Sequence, residues 1–326
     1  MSTNQRPMFN VFRKVNFDDS IEKIEWRTYY PYTRSFRNND IIEIVINQST
    51  LFDATYDSQL LVSGKIIKTG DGDVSFVNNA PAFMFSSVKY VLGGGSKEME
   101  LVQDPGIVST VRGYLGYTSE DSKHLAISGW NFPNSPKLNP DGTFTFLIPL
   151  RHFFNIFNDY RTVICGMQTF TFTRANNDAN CFIVKEKTPT SNTTVKMDIQ
   201  NVELKIKRIY PESAIKEKLL EGVAANNSII MPYRQWDVQV KTLAAGAISD
   251  AEKRPILDYD VFKERTLFVI DCSRRDENER PSTVDVRLEI EAAQGFPENT
   301  RAYCIIIHDC IMEYLPLDNI VNNLKA

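Results

Sequence analysis

The stretch VDVRLEIE, Val284 to Glu291, alternates apolar and charged residues without a break. AYCIII, Ala302 to Ile307, follows it as a run that is apolar on both faces. In a pleated strand successive side chains point to opposite sides, so Val284, Val286, Leu288 and Ile290 share one face while Asp285, Arg287, Glu289 and Glu291 share the other. That pattern predicts a half-buried antiparallel strand. GFPENT, Gly295 to Thr300, joins the two runs with turn-forming residues, so the second run is expected to return beside the first as a more deeply buried neighbour.

The same grammar extends upstream. After Asn38-Asn39-Asp40, Ile41 to Ile46 reads as a strand, and further strands are expected at Gln59 to Ile67, Ala82 to Leu92, Thr143 to Leu150 and Val163 to Thr173. Gly70-Asp71-Gly72-Asp73 and Asn139-Pro140-Asp141-Gly142 supply turns between them. Past the polar segment KTPTSNTT, Lys187 to Thr194, alternation resumes from Met197 to Ile209, with Val202, Leu204 and Ile206 on one face and Glu203, Lys205 and Lys207 on the other. One helix is expected next: Pro211 suits a first helical turn, Glu212 its positive end, Ile215 and Leu219 one face, and Gly222 a C-terminal cap. Strands at Tyr233 to Thr242 and Thr266 to Ser273 complete the list.

Many strands and few helices predict an all-β chain of two tandem antiparallel β-sandwiches with one or two short helices. The expected division is an amino-terminal arm at 1–35, a first sandwich at 36–186, a linker at 187–194 and a second sandwich at 195–326.

With 326 residues, 24% charged, 42% hydrophobic and 20 Phe, the chain can bury two cores. A net charge of -4 provides no global attraction to nucleic acid or to an anionic membrane. Five widely spaced cysteines and a start, MSTNQRPMF, without an apolar signal run fit reduced thiols in a protein that is not secreted. On that expectation the glycosylation tripeptides at Asn47, Asn192 and Asn226 are chance matches. No stretch approaches the roughly 20 apolar residues of a membrane span.

Catalytic constellations are missing from the pattern. A cupin-type metal site needs two His at i, i+2, whereas His124, His152 and His308 stand alone. Cys304, His308 and Cys310 share strand parity, but a rise of about 3.3 Å per residue separates the two thiols by roughly 20 Å. Gly93-Gly94-Gly95-Ser96 lacks a following Gly-Lys-Ser/Thr and reads as a hairpin tip. Asp71 and Asp73 offer too few carboxylates for a calcium loop. No metal, cofactor or catalytic residue is expected. Two features suit contacts instead: the arm, where Arg6, Arg13 and Lys14 lie among Phe9, Phe12 and Phe17, and the aromatic group Trp26, Tyr29, Tyr30 and Tyr32. The aromatics also suit packing against the chain's own sandwich.

The order of several segments resembles a known family. A Tyr-Pro element precedes IIEIVI, then Tyr56-Asp57-Ser58 leads into LLVSGKI, then VNNAPAFMFSSVKYVLGG; later come FTFLIPLRHFFNIFNDYRTVICG and VIDCSRR, VDVRLEIEA and FPENTRAYCIIIHDCIMEYLPL. Together they resemble the double jelly-roll major capsid proteins of the Polinton and adintovirus type and related insect virus-like genes. The resemblance implies two jelly rolls, a homotrimer of pseudo-hexagonal outline that tiles an icosahedral shell, and no enzymatic activity. It also implies contacts with neighbouring capsomers, with penton or minor capsid proteins, and weakly between the arm and a genome or inner membrane. A virion protein assembled in host cytoplasm or nucleus follows. Those relatives carry a longer stretch between Trp236 and Val269 than Leu243 to Arg265 here, which implies an abbreviated second barrel. From the residues alone, a β-sandwich module binding a glycan or a protein remains the competing expectation.

Overall fold

The computed structural model describes residues 20–47, 51–95, 97–131, 136, 139–187, 192–242, 269–270 and 301–324. Val284 to Glu291, the turn at Gly295 to Thr300, most of Thr266 to Ser273, and Arg6, Arg13 and Lys14 lie outside the described residues. The chain divides into two compact units, 1–237 with 306–326, and 238–305. In the second unit the described residues are 238–242, 269–270 and 301–305.

The described strands, in order, are β1 (Ile21–Tyr29), β2 (Ile41–Ile46), β3 (Phe52–Asp53), β4 (Gln59–Thr69), β5 (Asp73–Phe76), β6 (Phe85–Leu92), β7 (Glu100–Gln103) and β8 (Thr143–Pro149). They continue with β9 (Ile164–Cys165), β10 (Gln168–Arg174), β11 (Phe182–Lys185), β12 (Thr194–Pro211), β13 (Ile229–Thr242), β14 (Arg301–Leu315) and β15 (Ile320–Asn323). The helices are short: α1 (Ala80–Phe83), α2 (Pro105–Gly116), α3 (Ser119–His124), α4 (Leu150–Phe153), α5 (Ile156–Asp159) and α6 (Ser213–Ala224). They outnumber the one or two expected, because several are single turns inside connections.

Period-2 alternation builds the core of the first unit. One sheet runs β2-β10-β6-β7. Its register lines up Ile44, Phe170 and Tyr90, with Ile42, Phe172 and Val88 in the next row, and all six are fully buried. The other sheet runs β8-β4-β12-β3-β9, with β1 added to β12. There Leu60 stands between Leu204 and Ile148, and Val62 between Val202 and Phe146. All pairings described are antiparallel. A polar bridge links the two sheets: the Gln168 amide of β10 donates to Asp53 of β3 at 3.3 Å.

The run Met197 to Ile209, expected beyond the linker in the second sandwich, lies within β12, which pairs with β4 over eleven registered positions from Thr194 to Lys205. Its buried Val202, Leu204 and Ile206 face the same core as Leu60 and Val62. Pro211 closes β12 instead of opening the helix; α6 starts at Ser213, where the Glu212 carboxylate caps Ala214 N–H at 2.9 Å. Gly222 lies inside α6, and the C-cap is Ala225 instead. Ala82, expected to begin a strand, sits in α1, and the strand starts at Phe85.

Candidate functional site

The aromatic group singled out in the sequence falls on and just after β1. Isoleucine and Trp at alternate positions favour an extended chain, and β1 pairs with the carboxy-terminal half of β12, from Ile21 opposite Pro211 to Tyr29 opposite Leu204. Residues opposite one another share a face. Ile24 and Trp26 therefore lie beside Ile209 and Lys207 on the outer surface, whereas Glu25 and Tyr29 lie beside Arg208 and Leu204 on the inward one.

The inward face is anchored by a buried polar chain. Arg208 Nε donates to Asp53 Oδ1 at 3.0 Å and its Nη2 donates to the Tyr29 hydroxyl at 2.7 Å. Gln168 takes up the other Asp53 oxygen, and its carbonyl accepts from Thr55 at 2.9 Å and Tyr90 at 3.1 Å. Burial works against the Arg208 charge, but the Asp53 carboxylate and the Tyr29 hydroxyl outweigh it and hold the guanidinium more firmly protonated than usual. Tyr29 is thus a register pin rather than part of the exposed aromatic row. Nearer the strand start, Glu25 Oε2 accepts from Lys23, Arg27 and the Tyr210 hydroxyl at 3.3, 3.0 and 3.1 Å. Slight burial opposes it, yet those donors hold the Glu25 carboxyl below its ordinary value.

The outward residues are uncovered. Trp26 is 50% exposed, Tyr30 63% and Tyr32 79%, with Ile21 and Ile24 exposed beside them. Ile21, Ile24 and Trp26 thus stand open on β1, with Tyr30 and Tyr32 just beyond it.

Elsewhere the polar groups serve the fold. His152 is buried, its Nε2 at 2.8 Å from Asn79 Oδ1 and its Nδ1 at 2.9 Å from the Tyr117 hydroxyl. Burial, with the charges of Arg112 and Arg151, lowers it to about 3. The Glu100 carboxylate accepts the N–H groups of Asn155 and Ile156 at 2.9 Å each; burial raises it to about 7 against the pull of those donors and of Arg112. Arg174 and Asp178 form a fully buried ion pair at 2.7 Å that also caps Met197 N–H. Sequence reasoning missed all of these.

Among the described residues no group of three His, Cys, Asp or Glu side chains could hold a metal ion. Cys310 is buried, while His308 is exposed and pairs with Asp237 at 2.9 Å. Gly93 to Gly95 lie in the connection of the β6–β7 hairpin. A cleft of about 420 Å³ is lined, among the described residues, by Lys97, Glu98, Met99, Leu101, Gln235, Met312 and Asn323. No described helix is long and apolar enough to cross a membrane.

A family model described as a double jelly roll-like domain matches residues 74–251 and 244–312. No curated protein matches. The Faustovirus major capsid protein is 12% identical, with a TM-score of 0.43 over 72% of this chain and 62% of its own. The mavirus major capsid protein is 9% identical, with a TM-score of 0.47 over 76% and 57%. The cryo-EM structure of the Sputnik virophage is 10% identical, with a TM-score of 0.48 over 74% and 57%. The chain spans roughly three fifths of the length of these structures.

Proposed function

The chain belongs to the double jelly roll-like domain family, and from that premise we propose that it is a viral major capsid protein or a domesticated descendant of one. The observation that carries the proposal is the family match itself, which runs from residue 74 to 312 through both halves of the chain. The chain is a structural protein, not an enzyme, as its double jelly roll-like family implies.

On this proposal its kin are the capsid proteins of the Polinton and adintovirus type, and its partners are further copies of the chain. Two similar barrels per chain let a trimer present a pseudo-hexagonal outline that repeats over a shell. The first barrel takes in β1 and β12 together with residues 36–186, the second is assigned to the chain after Pro211, and residues 1–19 are the arm. Arg6, Arg13 and Lys14 are assigned to the particle interior, facing a genome or membrane, and Trp26, Tyr30 and Tyr32 to subunit contacts. Penton or minor capsid proteins complete the shell, and the protein resides in the virion.

Light scattering on the size-fractionated protein, followed by negative-stain electron microscopy, tests the assignment. Trimers and closed shells are the expected result. A monomer at every concentration that binds a glycan specifically would replace the assignment with a β-sandwich binding module.

A further inference from the structure

The free edge of β1 carries more than the capsid assignment requires. Seven of its nine residues are exposed, and among the described residues β1 pairs with β12 alone. Unpaired strand edges are ordinarily guarded by a proline, a bulge or an inward-pointing charge, because a bare row of N–H and C=O groups templates another strand. β1 has no proline, its register irregularity is confined to Ile21–Lys23 at its start, and the charges on its inward face alternate in sign, so from Ile24 to Tyr29 the edge runs regular with Ile24 and Trp26 exposed.

Its charges are self-complementary. Lys23, Glu25 and Arg27 alternate in sign at every second position, on one face. Lys23, Arg27 and Tyr210 all donate to Oε2 of Glu25, and among the described residues none donates to its Oε1. Arg27 is half exposed. We propose that the β1 edge pairs antiparallel with β1 of a second copy of this chain, centred on Trp26. In that register Trp26 meets Trp26 across the two-fold axis. Glu25 of each copy stands opposite Arg27 of the other, Ile24 opposite Thr28, and Lys23 opposite Tyr29. Opposed charges and aromatic pairs are favourable in directly opposite positions, whereas like charges there are unfavourable. A nine-residue edge buries less than a standard interface, so the contact is weak in solution and gains strength where many copies repeat it.

Sedimentation of the full chain over a concentration series reads the contact as a doubling of mass above whatever species prevails at low concentration. E25R sets an arginine opposite the native Arg27 of the other copy, and R27E sets a glutamate opposite the native Glu25. Each variant alone therefore loses the doubling, with association weakened on the order of tenfold or more. Mixed in equal amounts, the two variants bring an all-arginine edge against an all-glutamate one at these positions, and the doubling returns. An intrachain role for Glu25 cannot produce that recovery. The double variant E25R/R27E, which keeps opposite charges within each chain, must also double; it serves as a second variant if either single one fails to fold. Doubling that survives in either folded single variant, or that stays absent from the mixture, from the double variant or from the wild type, overturns the pairing. Trimers and shells that form without the doubling leave the capsid assignment standing, and doubling without trimers or shells sinks that assignment alone.

Discussion

Arg208 of β12 and Asp53 of β3 face each other at 3.0 Å with 3% and 1% of their side chains exposed. A buried ion pair contributes little relative to a well-packed apolar pair, but removing one member strands the other in a medium that cannot solvate it. Arg208→Met should therefore destabilise the protein by about 3–5 kcal/mol in urea unfolding. Asp53→Asn combined with Arg208→Met should recover part of that loss. Additive losses would show that the two side chains do not act as a pair.

Gly166 adopts φ +135°, and a Cβ there would lie 2.3 Å from the Tyr314 hydroxyl. Tyr314 sits on β14 beside Val321 of β15, and its hydroxyl donates to Asn319 in the intervening turn. Gly166→Ala should cost about 1–3 kcal/mol through steric overlap and backbone strain. Hydrogen exchange should locate the lost protection first at Met312 to Leu315. Uniform loss across β2, β6 and β10 would contradict it.

Two buried groups impose opposite pH dependences. Glu100 ionises near 7 in the folded chain against an ordinary 4.5, so between those values the native state holds more protons and stability falls as pH rises. His152 ionises near 3 against an ordinary 6.5, so its contribution is lost as pH falls through that window. Between about 4.5 and 6.5 the two partly cancel. Glu100→Gln removes the first, so the wild-type advantage in melting temperature over the variant should be full at and below pH 4.5, shrink toward pH 7 and level off above it. His152 should show no imidazole titration by NMR between about pH 5 and 8; a transition there would contradict its neutral, doubly hydrogen-bonded state.

Deleting residues 1–19 spares β1, the Ser20 carbonyl that accepts from Glu212 N–H, and the Tyr29–Arg208 bond. The melting temperature should stay within about 2 °C of the full chain, while higher-order assembly weakens through loss of Arg6, Arg13 and Lys14. Deleting residues 1–29 also removes the strand, exposes the β12 edge and should lower the melting temperature by roughly 5 °C or more. Equal effects of the two deletions would contradict the division at β1.

Strands with clean alternation were legible in the sequence: Ile41 to Ile46 has the same bounds in sequence and structure, and β10, Gln168 to Arg174, covers the last six of the eleven residues expected at Val163 to Thr173. The helix α2 was not legible. Its sequence, PGIVSTVRGYLG, mixes β-branched residues with glycines and is a poor helix by propensity. Packing overrides this, since Gly106 and Gly113 let Phe83 and Trp130 lie against the helix backbone. The exposed Trp26, Tyr30 and Tyr32 were legible as a cluster, while the anchoring of Tyr29 was not. One signal for its partner was present: Arg208 continues the parity of Val202, Leu204 and Ile206, so an arginine on an apolar face called for a buried carboxylate. Nothing local identifies that carboxylate as Asp53, 155 residues earlier. Glu100 is similar, extending the row of Ile44, Phe170 and Tyr90 while its donors lie at Asn155 and Ile156.

The position of β12 in its sheet has a consequence in time. Lys207 bonds to Asp57 across 150 residues of chain, and β12 is the strand that joins β4, β3 and β1. Until the ribosome has released Pro211, β1 has no sheet to enter and β4 offers one unpaired edge. At about 5–20 residues per second, that interval lasts roughly ten seconds or more for a nascent chain. Loops of this length close slowly, so the sheet is built late even though its first strands are made early. Neighbouring nascent chains on one message would meet during that interval with matching open edges, which makes slow or crowded translation the step most exposed to wrong pairing.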